Sequence, residues 1–379
     1  MALRTTRRRR ALQAVSAVVC ALIITVVASW QPIEAESLPF DRTNPFIWDN
    51  DAEHDAFTLP FVLALANSGA LNLVGISQSP HPFKTSSENF QTAVTAARSS
   101  GWKNIPDATW DLGPYYMTAL TAPSSRRIEE TEPLNTAPAA MIRDRVLTLG
   151  TDSKPVVIGS GGALTTVASA YLMALQDGRG PEFAQKAIVA PAIGLVGLTP
   201  FGAEYNASQD EWSLYIVLTR LRVVLAPLDL AMTIGDQQRV WQAIDAFPNT
   251  PMGTHLRKIK ASYPYDPLGG IVTGDMQPII AMLHPQEGVY FHRTERVSVS
   301  GWSGWPSYFP DHGPWNPAQP DLPALNWNAL KSVVGLRNDS GSSTVLLQDY
   351  DLHLVANDFV AAMQASPTVS APSRLRQVR

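Results

Sequence analysis

Asp49, Asp51 and Asp55 fall within seven residues, just after the short apolar run from Pro45 to Trp48. Carboxylates this close repel one another unless a cation lies between them. All-oxygen donors select a hard ion, so the cluster points to calcium or magnesium. On an extended strand Asp49 and Asp51, two apart, point the same way. Asp55 can fold back at a helix start, where the helix dipole favours an anion. The same residues also read as a helix N-cap in a solvated acidic turn. Further along, Glu204 and Asn206 are spaced i, i+2, which puts both on one side of an extended stretch; a surface loop accounts for them equally. Asp275 opens a helical pattern and by itself reads as an N-cap. Gly159, Gly161 and Gly162 follow an apolar strand, but no Lys-Ser/Thr follows to complete a phosphate cradle. A nucleophile elbow at Ser160 would need a glycine at position 158, which is Ile158.

These residues sit at the ends of alternating strands and helices. Leu71 to Ser77 and Pro155 to Ile158 read as buried strands, with shorter ones at 187–189 and 222–226. Helices are expected over 55–68, with Pro60 confined to the first turns, over 86–100 closed by Gly101, and over 165–175, 210–221, 236–246 and 275–283. Val289 to Ser300 alternates as a strand. The pattern predicts an α/β fold: one domain with a mainly parallel, mixed central sheet flanked by helices. In such sheets ligands bind outside the carboxyl ends of the strands, where the acids lie. Residues 301–327 hold four Trp and six Pro, too many prolines for regular structure. They read as a wrapped loop pinned by aromatics or as a stacking platform at the mouth of a site.

Composition narrows the classes. The 379 residues are 45% apolar and 16% charged, with a single Cys and a formal charge of −4. Such apolar content excludes a disordered chain. One Cys excludes a disulfide scaffold, and the acidic balance gives no sign of nucleic-acid binding. Arg4 and Arg7 to Arg10 precede an uncharged apolar run, Leu12 to Trp30. Residues 1–35 therefore read as an export signal, with an uncleaved membrane anchor through residues 12–30 as the rival. Either way the body, 36–379, is expected to be secreted or extracytoplasmic. Without its five leading Arg and one Glu the body carries 24 basic and 32 acidic residues, net −8, and no thiol, because Cys20 lies in the apolar run. A thiolate metal site is excluded.

Asp49-Asn50-Asp51-Ala52-Glu53-His54-Asp55-Ala56, an apolar helix and Leu73-Val74-Gly75-Ile76-Ser77 resemble the N-terminal Asp-rich signature of the inosine–uridine preferring nucleoside hydrolases. Three later segments resemble that family's blocks in the same order: the turn from Ile158 to Ser169, the stretch Ala203 to Asp210 with Ala226 to Asp229, and Gly274-Asp275 with its helix. The resemblance spans about residues 44–300. It implies a calcium-dependent hydrolase of N-glycosidic bonds that splits ribonucleosides or related ribosides into base and sugar. Ca2+ would be held by Asp51, Asp55, Asp275 and a backbone carbonyl near Gly161, where residue type would matter little. Asp51 would be the catalytic base. Glu204 and Asn206 would hold sugar hydroxyls, with His54 and Asp49 as further substrate-side candidates. A homo-oligomer is compatible with this reading.

Several positions depart from the family pattern. The paired aspartates before the alanine are His54-Asp55, one residue short. Placing Ala56 on the family's alanine makes Asp55 the metal ligand; the other register makes Asp55 the sugar contact and puts Ala56 on the ligand position. The family's sugar-contacting Gly-Asn is replaced in the region Gln78-Ser79-Pro80-His81. An expected Asn is Leu198, and the His before the last aspartate is Gly274. The metal ring is kept while sugar and leaving-group contacts are edited. The alternatives are therefore a non-catalytic sugar- or metal-binding protein on the same scaffold, or a different metal-dependent hydrolase.

Overall fold

Strand β1 (Phe46–Asn50) alternates its side chains between two apolar cores. Phe46 and Trp48 enter one, Ile47 the other, as the period of two in a strand requires. The same alternation runs through Val156, Val157 and Ile158 and through Ile188 and Val189, so the sheet is covered on both faces. The computed structural model describes residues 37–51, 57–79, 84–109, 119–194, 205–228, 236–262, 274–302 and 334–366. Residues from Leu38 on cluster as one compact unit.

Along the chain β1 is followed by α1 (Thr58–Ser68), β2 (Leu73–Gln78), α2 (Lys84–Ser99), β3 (Ala108–Thr109), α3 (Ala137–Leu149) and β4 (Val156–Gly161). Then come α4 (Thr165–Gln176), α5 (Gly180–Lys186), β5 (Ala187–Pro191), α6 (Tyr205–Gln209), α7 (Glu211–Arg220) and β6 (Arg222–Leu225). The last elements are α8 (Gln237–Ala246), α9 (Pro251–Ser262), α10 (Gln277–Leu283), β7 (Phe291–Trp302), β8 (Val334–Asn338), β9 (Thr344–Tyr350) and α11 (Leu352–Ala365). The sheet runs β3-β2-β1-β4-β5-β6-β9-β7-β8. All pairings from β3 to β9 are parallel; β7 is antiparallel to both β8 and β9. The sheet is thus the expected mixed, mainly parallel one.

Pro60 sits in the first turn of α1, where its missing N–H costs nothing. Gly69 (φ +75°) and Gly101 (φ +78°) close α1 and α2 in the left-handed region, which a residue without Cβ enters freely. Strand β7 starts and ends two residues later than expected, because its register is set by β8 and β9, which follow the Pro-rich segment. Among the described residues no helix is long and apolar enough to cross a membrane. Residues 1–35, with the candidate anchor, lie outside the described residues, as does the aromatic segment from 303 on.

Candidate active site at the switch point of the sheet

Chain order reverses between β1 and β4. From β1 the chain steps outward through β2 and β3; from β4 it steps the other way through β5 and β6. Neighbouring strands whose connections depart in opposite directions leave a crevice at their carboxyl ends. Asp51 leaves β1 at that crevice, and Gly161 and Gly162 leave β4 beside it, with Asn50 paired to Gly161. The Asp51 backbone N–H points at the Gly161 carbonyl from 3.5 Å, a long and weak contact.

Asp275 arrives from far along the chain. It lies in a short 3₁₀ turn, Gly274–Met276, that leads into α10. Its carboxylate is buried and rests on the end of β4, where Asn50 Nδ2 donates to Asp275 Oδ2 at 2.7 Å and to the Gly161 carbonyl at 2.9 Å. A Cβ at position 161 would stand 2.3 Å from Asp275 Cγ and Oδ2. The residue type at Gly161 therefore does matter, contrary to the expectation for a purely backbone role: only glycine lets the carboxylate come so close. Gly162 makes a second tight corner. A Cβ there would stand 2.3 Å from Ser79 Oγ and 3.3 Å from Asp51 Cβ. Ser79 is 2% exposed and donates its N–H to the Asn50 carbonyl. Its hydroxyl is buried in this corner with no partner among the described residues.

Asp49 is one strand step back and faces the other way from Asn50. Its carboxylate has no exposure; Oδ1 accepts from Ser77 Oγ of β2 at 2.7 Å. This is a contact within the sheet, not an open one. Burial pushes its acid up to about 7, against the lowering effect of Ser77. Asn206 lies on α6, so the extended stretch expected around it is helical from residue 205 on, and the i, i+2 spacing with Glu204 does not give a shared strand face. Asn206 is buried and donates through Nδ2 to the Ala192 carbonyl at 3.4 Å, just past β5, on the same rim of the sheet as Asp51. His54, Asp55, Glu204, Asp229, Leu198, Pro80 and His81 lie outside the described residues.

A supporting network stands behind this rim. Asp210 caps α7 through Ser213 N–H at 2.9 Å and also accepts from Thr165 Oγ1 at 2.6 Å and Leu120 N–H at 2.9 Å. It thus ties the start of α4, which follows the Gly161-Gly162 turn, to α7. Burial pushes Asp210 up to about 6 and, together with the charge of Asp210, Glu211 up to about 8. Asn50, Ser79, Asp210 and Glu211 received no role from the sequence. For Asp210 a signal existed, an acid three residues before Ser213 at a helix start; for Asn50 there was none.

Among the described residues no three acidic or histidine side chains gather to hold an ion by themselves. An open cavity of about 1040 Å³ lies at the other rim, where β2 begins. Arg42, Ser68, Asn72 and Asn104 help line it, but no carboxylate or histidine does.

No family model matches the chain, and no curated protein matches it in sequence. Solved structures do. An inosine-guanosine nucleoside hydrolase (IG-NH) superposes with a TM-score of 0.56 at 13% identity, covering 86% of this chain and 99% of its own. A nucleoside hydrolase-related protein from Saccharophagus degradans, associated with carbohydrate metabolism, gives 0.48 at 12% identity, covering 85% and 72%. The type III effector protein XopQ, solved with adenosine diphosphate ribose, gives 0.47 at 13% identity, covering 88% and 95%. The first likeness shows that the chain has the nucleoside hydrolase fold.

Proposed function

We propose that this chain is an exported, calcium-dependent hydrolase of N-glycosidic bonds that acts on ribonucleosides or related ribosides. The observation that supports the reading is the Asp275 carboxylate resting on Gly161 and Asn50 at the switch point of a nucleoside hydrolase fold, next to where Asp51 leaves β1. The donor set is all oxygen: two buried carboxylates, a strand-end carbonyl and the unengaged Ser79 hydroxyl close by. Such donors fit calcium and not a soft metal. Asp51, Asp55, Asp275 and the Gly161 carbonyl would hold the ion. When bound, it would acidify a water molecule and steady the sugar hydroxyls.

The chain's own residues do the rest. Asp51 takes the proton from the attacking water. The water oxygen bonds to the anomeric carbon as the C–N bond breaks, and that bond's electron pair leaves with the base. Positive charge builds on the sugar ring, and the carboxylates of the rim stabilise it. Glu204 and Asn206 hold sugar hydroxyls. Gly274 stands where the family pattern has a histidine, so protonation of the departing base falls to another group. In place of a dedicated acid, solvent water supplies that proton while an aromatic ring stacks on the base, a role for the Trp-rich segment 301–327.

The test is to incubate the full chain with a panel of ribonucleosides, with calcium and with a chelator, and to follow free base. Base release that stops on chelation and in Asp51→Ala is the expected result. No base from any nucleoside, with calcium still raising the melting temperature, would instead make the chain a non-catalytic sugar- or metal-binding protein.

A further inference from the structure

Asn50 has an unusual pair of acceptors. Its side-chain NH2 spends one hydrogen on a backbone carbonyl and the other on a carboxylate, at 2.9 and 2.7 Å, all in a buried setting. Both acceptors are oxygens assigned above to the ion. The strand alternation explains why Asn50 can reach them. It follows Phe46 and Trp48 on the face of the sheet that the turn 274–276 and α10 also cover, whereas Asp49 follows Ile47 onto the other face. The missing Cβ of Gly161 lets the three groups close up, since a Cβ there would stand 2.6 Å from Asn50 Nδ2. An amide is suited to this place. It is neutral, so it adds no charge to the carboxylates, and it offers two donors at a fixed angle.

The geometry points to Asn50 as a positioning residue: it clamps the Asp275 carboxylate against the Gly161 carbonyl before any ion arrives, so that ligands far apart in the chain are already in register. This rests on the calcium reading proposed above. Asn50 acts through its two acceptors and is not itself a ligand or a catalytic group. Partners that orient metal ligands in this way are worth about 10–100-fold in metal affinity.

The experiment titrates the full chain with calcium alone by calorimetry. It compares the natural sequence with Asn50→Leu, which keeps the volume and removes both donors, and with Asn50→Ser, which keeps one. The expected result is calcium affinity weakened by about 10–100-fold in Asn50→Leu, with Asn50→Ser in between. Affinity within twofold of the natural chain in Asn50→Leu overturns the inference. If Asn50→Leu does not fold, Asn50→Ser decides by the same criterion. A separate arm measures melting temperatures in chelator for Asn50→Ser, Asp275→Asn and the double variant. Losses well short of additive show the clamp directly; additive losses overturn it. A natural chain that binds no calcium defeats the calcium reading, while the chelator arm still decides the clamp.

Discussion

At the scale of single residues the site depends on close approach more than on any one acid. Gly161 shows why. Its Cα lies so near Asp275 that a methyl group would meet Cγ and Oδ2 at 2.3 Å and Asn50 Nδ2 at 2.6 Å. Gly161→Ala should therefore still fold, losing about 1–3 kcal/mol to overpacking, because the clash is with side chains at a strand end. The displaced carboxylate, however, should lower kcat/KM for base release by about 100-fold, the scale of a one-ångström misplacement. Far-UV circular dichroism and nucleoside kinetics on the same preparation check both halves; full activity in Gly161→Ala would show that Asp275 is not placed by this contact. The acids were legible in the sequence because three of them in seven residues demand a cation or a solvated turn. Asn50 was not, since an amide inside an acidic run has no signature apart from its partner. The glycine requirement at 161 was hidden for the same reason: it depends on a carboxylate that only the fold brings there.

At the scale of elements, helix starts hold the rim together. The junction of α6 and α7 carries two adjacent buried acids. Asp210 is satisfied by Ser213, Thr165 and Leu120, but Glu211 Oε2 has no partner among the described residues. Burial, and then the neighbouring charge, lift Glu211 to about 8. A native value above the unfolded one means that Glu211 weakens the fold when it ionises. Its contribution is intact below the ordinary glutamic range and is lost as pH rises through about 8. Glu211→Gln keeps the shape and cannot ionise. Its melting temperature should equal that of the natural chain at pH 4 and exceed it at pH 9; parallel curves across that range would mean that Glu211 is better solvated than its burial indicates. Strand–helix alternation, the caps at Gly69 and Gly101 and the place of Pro60 could be read in advance because each is a local rule. Helix α3 also carries a local signal, a Thr136 hydroxyl accepting from Ala139 with Pro138 in the first turn, yet its apolar stripe is weak beside the strands. Strands β8 and β9 follow the Pro-rich segment, and only tertiary pairing with β7 and β6 makes them part of the sheet.

At the scale of the whole molecule, the site cannot exist in a partly folded chain. The hydrogen bonds from Asn50 Nδ2 to Gly161 and to Asp275 join residues 111 and 225 positions apart. The first crosses the switch point of the sheet; the second brings in the turn before α10. Loop closure over such lengths must precede the contacts that reward it, so the groups at the ends of β1 and β4 and in the turn at 274–276 come together only once those elements have assembled. An ion that binds this arrangement and not the unfolded chain must stabilise the whole body. At a hundredfold excess over its dissociation constant the gain is about 2.7 kcal/mol, or about 4 °C in Tm for a domain of this size. Scanning calorimetry of the full chain in calcium and in chelator should show that shift in a single transition. Asp275→Asn should lose most of it, because the amide withdraws one charged ligand while keeping the shape of the side chain. A calcium shift that survives unchanged in Asp275→Asn would put the ion somewhere other than the switch point, and the chemistry assigned to Asp51 would then have no metal-bound water to act on.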